Sequence, residues 1–79
     1  MLSLTITTVD KQLFNGLVTY VICPGSAGEF TVLKNHEPFI TTLKKGTIRV
    51  QENKEGEQQI FEIEKGLFEV SKEGAVILL

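Results

Sequence analysis

A chain of 79 residues with one cysteine, one histidine, one methionine, two prolines and no tryptophan has little with which to do covalent or metal chemistry. The lone Cys23 cannot close an internal disulfide, and a single free thiol suits a reducing compartment. Cys23 and His36 could supply a nucleophile and a base, but Cys23 lies inside an apolar run, which makes it a buried structural thiol. One His and one Cys cannot complete a tetrahedral metal site without carboxylates at ligand spacing, and none are so spaced. Serine occurs only at Ser3, Ser26 and Ser71. Glu62, Glu64 and Glu69 alternate with apolar residues and are expected to face solvent rather than to pair for acid–base work. No catalytic, metal or cofactor-binding residues are expected.

Other absences narrow the class further. No apolar stretch approaches the ~20 residues that cross a bilayer as a helix, so direct lipid insertion is not expected. No basic segment precedes an apolar run near Met1, so no secretory leader is expected. Net charge is −2, the lysines are scattered singly apart from Lys44–Lys45, and acidic residues sit among the basic ones from Glu52 to Glu73. Nucleic acid is therefore not an expected partner, because a phosphate-binding face gathers cations. The loop Pro24-Gly25-Ser26-Ala27-Gly28 carries two glycines but neither the lysine nor the following helix of a phosphate-binding loop, and reads as a turn. No segment shows apolar residues at helical spacing, and nothing repeats at a solenoid period. A domain this small buries only ~60% of its unfolded surface, and without disulfide or metal its support is expected to come from a partner.

What is present is strand. Leu2, Leu4 and Ile6 alternate with Ser3, Thr5 and Thr7, and a turn follows at Val9 to Lys11. Leu17 to Cys23 reads as one strand, with Val18, Tyr20 and Ile22 on one side, Leu17, Thr19, Val21 and Cys23 on the other, and Pro24-Gly25 ending it. Glu29 to Leu33 resumes as strand, Lys34 to Pro38 interrupts, and Phe39 to Leu43 extends again before a turn at Lys44 to Gly46. Ile48 and Val50, then Phe61 and Ile63 across a polar hairpin loop at Asn53 to Glu57, then Phe68 and Val70, then Ala75 to Leu79, give further strands. Short strands with turn signals every eight to ten residues predict an all-β, antiparallel β-sandwich or barrel.

The ordered segment PGSAGEFTVLKNHEPFITTLKKG, Pro24 to Gly46, resembles the epsilon subunit of rotary F-type ATP synthases in its Pro-Gly loop, Gly-Glu-Phe, leucine, His-x-Pro corner, Thr-x-Leu-Lys and glycine. Leu13, Phe14, Gly16 and Val18 resemble the family's Phe-x-Gly-x-Val approach. Lys65-Gly66-Leu67-Phe68-Glu69-Val70 resembles its Gly-Gly-Phe-x-Glu-Val strand, with Lys65 in place of the first glycine. The resemblance implies the family's small flattened amino-terminal β-sandwich and a non-catalytic place in the F1 central stalk. There the subunit binds the gamma subunit and the c-subunit ring, alongside the alpha and beta subunits, and couples ion flow to ATP synthesis. It would sit peripherally on the cytoplasmic side of a bacterial inner membrane.

By the same resemblance, Ser26, Ala27, Gly28, Glu29 and Phe30 match the segment that meets the c ring, with Glu29 the charged contact. His36 matches a corner histidine near the rotor interface, although it could equally hydrogen-bond its own turn. Thr41 and Thr42 match strand positions near gamma, one facing the partner and the other the core, and Lys44 is a rim charge. Glu29 and His36 are expected together at one end of the sandwich. Many family members continue into a helical hairpin that can inhibit hydrolysis or bind ATP; this chain is expected to be a single domain over residues 1–79 without it. The isolated chain is expected to be monomeric and modestly stable, with an apolar patch left for gamma.

Two rival readings stand beside this one, a lipoyl- or biotinyl-type carrier and a generic β-sandwich adaptor. Lys44 or Lys45 could occupy a carrier's hairpin tip, but the flanking Leu43 and Gly46 supply neither the aspartate of lipoyl carriers nor the methionines of biotin carriers. The two classes separate by intact mass. The chain isolated from its host is expected to carry unmodified lysines, and a mass increase of a lipoyl or biotinyl group would establish the carrier reading.

Overall fold

Alternation of Leu2, Leu4 and Ile6 with hydroxyl side chains gives β1 (Leu2–Thr7) one buried side and one partly solvated side. The computed structural model describes residues 1–53 and 55–79. Position 54, inside the loop expected over Asn53 to Glu57, lies outside the described residues.

β1 pairs antiparallel with β2 (Gln12–Val18) and parallel with β9 (Gly74–Leu78). β9 continues antiparallel to β8 (Gly66–Ser71), and β8 to β5 (Phe39–Leu43). The other half runs β4 (Gly28–Leu33), β3 (Tyr20–Gly25), β6 (Gly46–Gln51), β7 (Gln58–Ile63), all antiparallel. The halves join through one bridge, Gly25 opposite Leu43, where the sheet curls over into two facing layers. Aromatic contacts cross between the layers at both ends: Phe14 of β2 meets Phe61 of β7 at 6.3 Å, and Phe30 of β4 meets Phe68 of β8 at 5.2 Å. Leu4, Ile6, Val18, Val21, Val32, Ile48, Val50, Phe68 and Ile77 lie fully buried between them. The β-sandwich expected from the strand pattern is therefore present, with one parallel pair, β1 and β9, inside it.

Two expectations need correction. Leu17 to Cys23 is not one strand. β2 begins at Gln12, and the chain breaks at Thr19, whose N–H donates to the Gln51 carbonyl at 2.7 Å. The inward side changes parity there, from Phe14, Gly16 and Val18 to Val21, Cys23 and Gly25. The reason is that β2 belongs to one layer and β3 to the other, and a residue must be spent turning between them. Secondly, Pro24 and Gly25 do not end the strand: Pro24 pairs with Glu29 and Gly25 with Gly28, leaving Ser26-Ala27 as a two-residue turn. Proline still takes part through its carbonyl, which accepts from the Lys44 N–H at 2.9 Å. Lys44 and Lys45 do not occupy the hairpin tip that the rival carrier reading would require. β5 and β6 do not pair, so these lysines lie on the corner that joins the two layers.

The buried Gln51 is the one polar side chain drawn inside among the described residues. Its amide nitrogen donates to the Asn53 carbonyl and, at 2.6 Å, to the Gly56 carbonyl, closing the turn between β6 and β7 from beneath.

Phe68 touches Phe30 across the layers and Phe39 within its own. Its truncation to alanine is expected to destabilise the fold by about 3–5 kcal/mol. Urea denaturation followed by circular dichroism measures this, and a midpoint equal to that of the parent chain would contradict Phe68 as the centre of the core.

Candidate functional site

The turn Ser26-Ala27 projects from the end of β3 and β4 and is held rather than loose. Gly28 has φ of 136°, a conformation that side-chain-bearing residues avoid, and this lets the strand return at once. The Ser26 N–H donates to the Thr42 carbonyl at 3.0 Å, and the Ser26 and Thr42 hydroxyl oxygens lie 2.7 Å apart. With the Lys44 bond to Pro24, the tip is tied to the end of β5 from two directions. Gly46 lets the corner pass close over the hairpin, since a Cβ there would come within 2.8 Å of Pro24 Cβ. Behind the tip, the half-buried Phe30 packs edge-on against Phe39 at 5.5 Å and against Phe68. Ser26, Ala27, Gly28 and Glu29 are thus exposed residues on a rigid base.

Glu29 has a partner that the sequence did not announce. Arg49 on β6 donates from Nη2 to Glu29 Oε1 at 3.0 Å, crossing the outer face of β3. The pairings Pro24 with Glu29 and Ile22 with Arg49 put the two side chains diagonally on the same face. The available signal was that the chain's single arginine alternates with Ile48 and Val50, and so must point outward. What it meets depends on which strands are neighbours.

Register separates the two threonines. Thr42 points outward, opposite Leu67, which is opposite Leu78. Thr41 lies half-buried opposite the core residue Phe68. In the next outward row Ile40 stands opposite Glu69 and Glu69 opposite Val76. Ile40 is 63% exposed, and Leu67, Val76 and Leu78 between 39% and 48%, so the outer face of β5, β8 and β9 carries an apolar patch next to Thr42 and the exposed Lys44. These four residues were read only as strand, because an apolar residue on either face of a strand looks the same in sequence.

His36 is not beside Glu29. Glu29 lies at the start of β4 and His36 in the turn beyond its end, because β4 runs the length of the sandwich between them. The His36 ring sits 5.0 Å from Phe39, and Nδ1 is 2.8 Å from the Glu37 carbonyl. A carbonyl only accepts, so Nδ1 is the donor in this contact, and Nε2 has no hydrogen-bond partner among the described residues. Asn35, with φ of 68°, makes the tight turn that places it.

No group of three or more His, Cys, Asp or Glu among the described residues is placed to hold a metal ion. Cys23 is fully buried, and burial pushes its thiol from 9.0 up to about 12. Because the folded state holds this proton more tightly than the unfolded one, its contribution is complete below pH 9 and is lost as pH rises towards 12. A maleimide at pH 8 is expected to leave the native chain unmodified and to label it stoichiometrically in denaturant. Rapid labelling of the native chain would contradict the burial.

This geometry can be set beside known proteins. The family model of the ATP synthase delta/epsilon chain, β-sandwich domain, matches residues 1–79. The ATP synthase epsilon chain of Caulobacter vibrioides is 38% identical over 98% of this chain and 87% of its own length. That of Hyphomonas neptunium is 42% identical over 98% of this chain, which spans only 56% of that relative. Among solved structures, a chain of the Euglena gracilis mitochondrial ATP synthase, in an assembly of OSCP, F1 and c-ring, superposes with a TM-score of 0.85 at 26% identity. That match covers 95% of this chain and 48% of the other. A chain of the Tetrahymena thermophila central stalk and c-ring shares the fold at a TM-score of 0.81 and 12% identity. A β-sandwich matched from its first residue to its last, with epsilon chains as its relatives, belongs to the ATP synthase delta/epsilon-chain family.

Proposed function

We propose that this chain is a non-catalytic subunit of the F1 central stalk, which binds the gamma subunit and the c-subunit ring and so helps couple ion translocation to ATP synthesis. The observation that carries this reading is the presence of two different exposed surfaces on one rigid sandwich. One is the polar hairpin tip Ser26 to Glu29, backed by Phe30 and presenting a carboxylate. The other is the apolar outer face of β5, β8 and β9, with Ile40, Leu67, Val76 and Leu78. A stalk subunit needs both kinds: a broad apolar face for lasting attachment to the shaft, and a charged tip for orientation against polar loops.

In this reading the hairpin docks on the c ring through Glu29, and the apolar face docks on gamma. Thr42, at the edge of the apolar face and bonded to Ser26, is the threonine that meets the partner, whereas Thr41 supports Phe68 from within. Lys44 adds rim charge where the two surfaces adjoin. His36 makes a separate contact at the far end of β4, through Nε2. The alpha and beta subunits are partners through the shared complex. The chain would reach the cytoplasmic side of a bacterial membrane by these contacts, since among the described residues no helix is long and apolar enough to cross one.

Two substitutions test the surfaces separately. Glu29→Lys is expected to leave the fold intact while lowering ATP synthesis driven by an imposed ion gradient; undiminished synthesis in membranes carrying the variant would remove the c-ring contact. Leu67→Glu adds charge to the half-exposed apolar face and is expected to weaken co-purification with gamma by about tenfold or more. Retention of the variant at parental stoichiometry would overturn that assignment.

A further inference from the structure

We propose that Arg49 is the positioning residue of the docking tip: it fixes the Glu29 carboxylate so that one oxygen is held within the chain and the other is presented to the partner. This rests on the docking reading above and adds to it a residue that acts through Glu29.

Arg49 stands on β6 between Ile48 and Val50, both fully buried, so its backbone cannot shift without disturbing the core. Glu29 stands between Gly28 of the tight turn and Phe30 of the aromatic cluster, so its backbone is equally constrained. The side chains span the outer face of β3, and the guanidinium reaches Oε1 at 3.0 Å, a charge-assisted hydrogen bond. Oε2 has no hydrogen-bond partner among the described residues, and the Glu29 side chain remains 64% exposed. An ionised carboxylate only accepts hydrogen bonds, so whatever meets Oε2 is a donor, and it meets an oxygen whose direction is already set.

Physical magnitudes say why such a pair belongs to recognition. Exposed ion pairs contribute little or nothing to stability, because solvent screens them and both side chains must be ordered. The pair therefore does little to hold the sandwich together. What it does is order a flexible glutamate before the partner arrives, so that docking does not bear that entropy. Arginine suits the task better than the nearby Lys44 or Lys45, since its planar fork fixes direction where an ammonium fixes only distance.

The test is a double-mutant cycle on binding to the rotary complex stripped of this subunit. The parent, Arg49→Met, Glu29→Gln and the double variant are compared, with Arg49→Lys as the conservative control. Methionine keeps the apolar stem over β3 and removes only the guanidinium. Because both groups are on the surface, the melting temperatures of all variants are expected within about 2–3 °C of the parent. Arg49→Met is expected to bind about three- to fivefold more weakly, with no further loss when added to Glu29→Gln, and Arg49→Lys to recover part of the affinity. Parental affinity in Arg49→Met would overturn the proposal. So would losses that add in the double variant, since Arg49 would then touch the partner itself. A parent chain that failed to bind the stripped complex would remove the docking reading and this inference with it, whereas a binding parent and a silent Arg49→Met would remove only the role of Arg49.

Discussion

Gly25 and Leu43 form the single bridge through which β3 meets β5, and the curl of the sheet into two layers depends on that bridge. Elsewhere the two halves are held by side chains rather than by ladder hydrogen bonds. Because β3 leaves β5 after one residue, the sheet can fold over itself, and Phe30 can reach Phe68 and Phe39 in the opposite layer. The corner is crowded for the same reason. Gly25, Gly28 and Gly46 occupy it, and a side chain at Gly25 would strike the Gly28 carbonyl at 2.6 Å and the Phe30 ring at 2.8 Å. The point at which the fold closes is thus the point at which the hairpin tip is made rigid.

That coincidence ties architecture to use. The bonds from Ser26 to Thr42 and from Lys44 to Pro24 satisfy backbone groups that a corner would otherwise leave open, and they also stop the tip from swinging. A tip with few internal contacts would have to be ordered by its partner. Here the ordering is supplied by the fold, with Phe30 beneath and Arg49 alongside. The apolar face across β5, β8 and β9 starts from the same corner through Thr42, so the charged and apolar surfaces keep a fixed mutual geometry. In the docking proposed above, such rigidity would let the two surfaces bear load together.

Much of the architecture was legible in the residues. Leu2, Leu4 and Ile6 point inward as their alternation predicts, as do Ile48 and Val50, Phe61 and Ile63, and Phe68 and Val70. Glu62, Glu64 and Glu69 face solvent, and Cys23 is buried. The misreadings fall where both faces of a strand are apolar. From Leu17 to Cys23 the pattern has no polar residue to mark the outside apart from Thr19, and Thr19 is where the chain changes layers. Likewise Ile40, Leu67, Val76 and Leu78 carry no mark that distinguishes an exposed patch from a second core. Pro24 misleads for a different reason: proline usually signals the end of pairing, and here its carbonyl still pairs, accepting from the Lys44 N–H.

Sequence alone determined the class of the protein: a small β-sandwich carrying the Pro24 to Gly46 segment of the epsilon family. Periodicity and turn residues are local properties, and local chemistry enforces them. Tertiary structure decided which residues act together. It placed Arg49 on Glu29, moved His36 to the opposite end of β4, turned Thr42 outward and Thr41 inward, and gathered four apolar side chains into one face. Each of these depends on which strands become neighbours and in what register, and that follows from closing the whole sheet around Phe68 rather than from any stretch of chain.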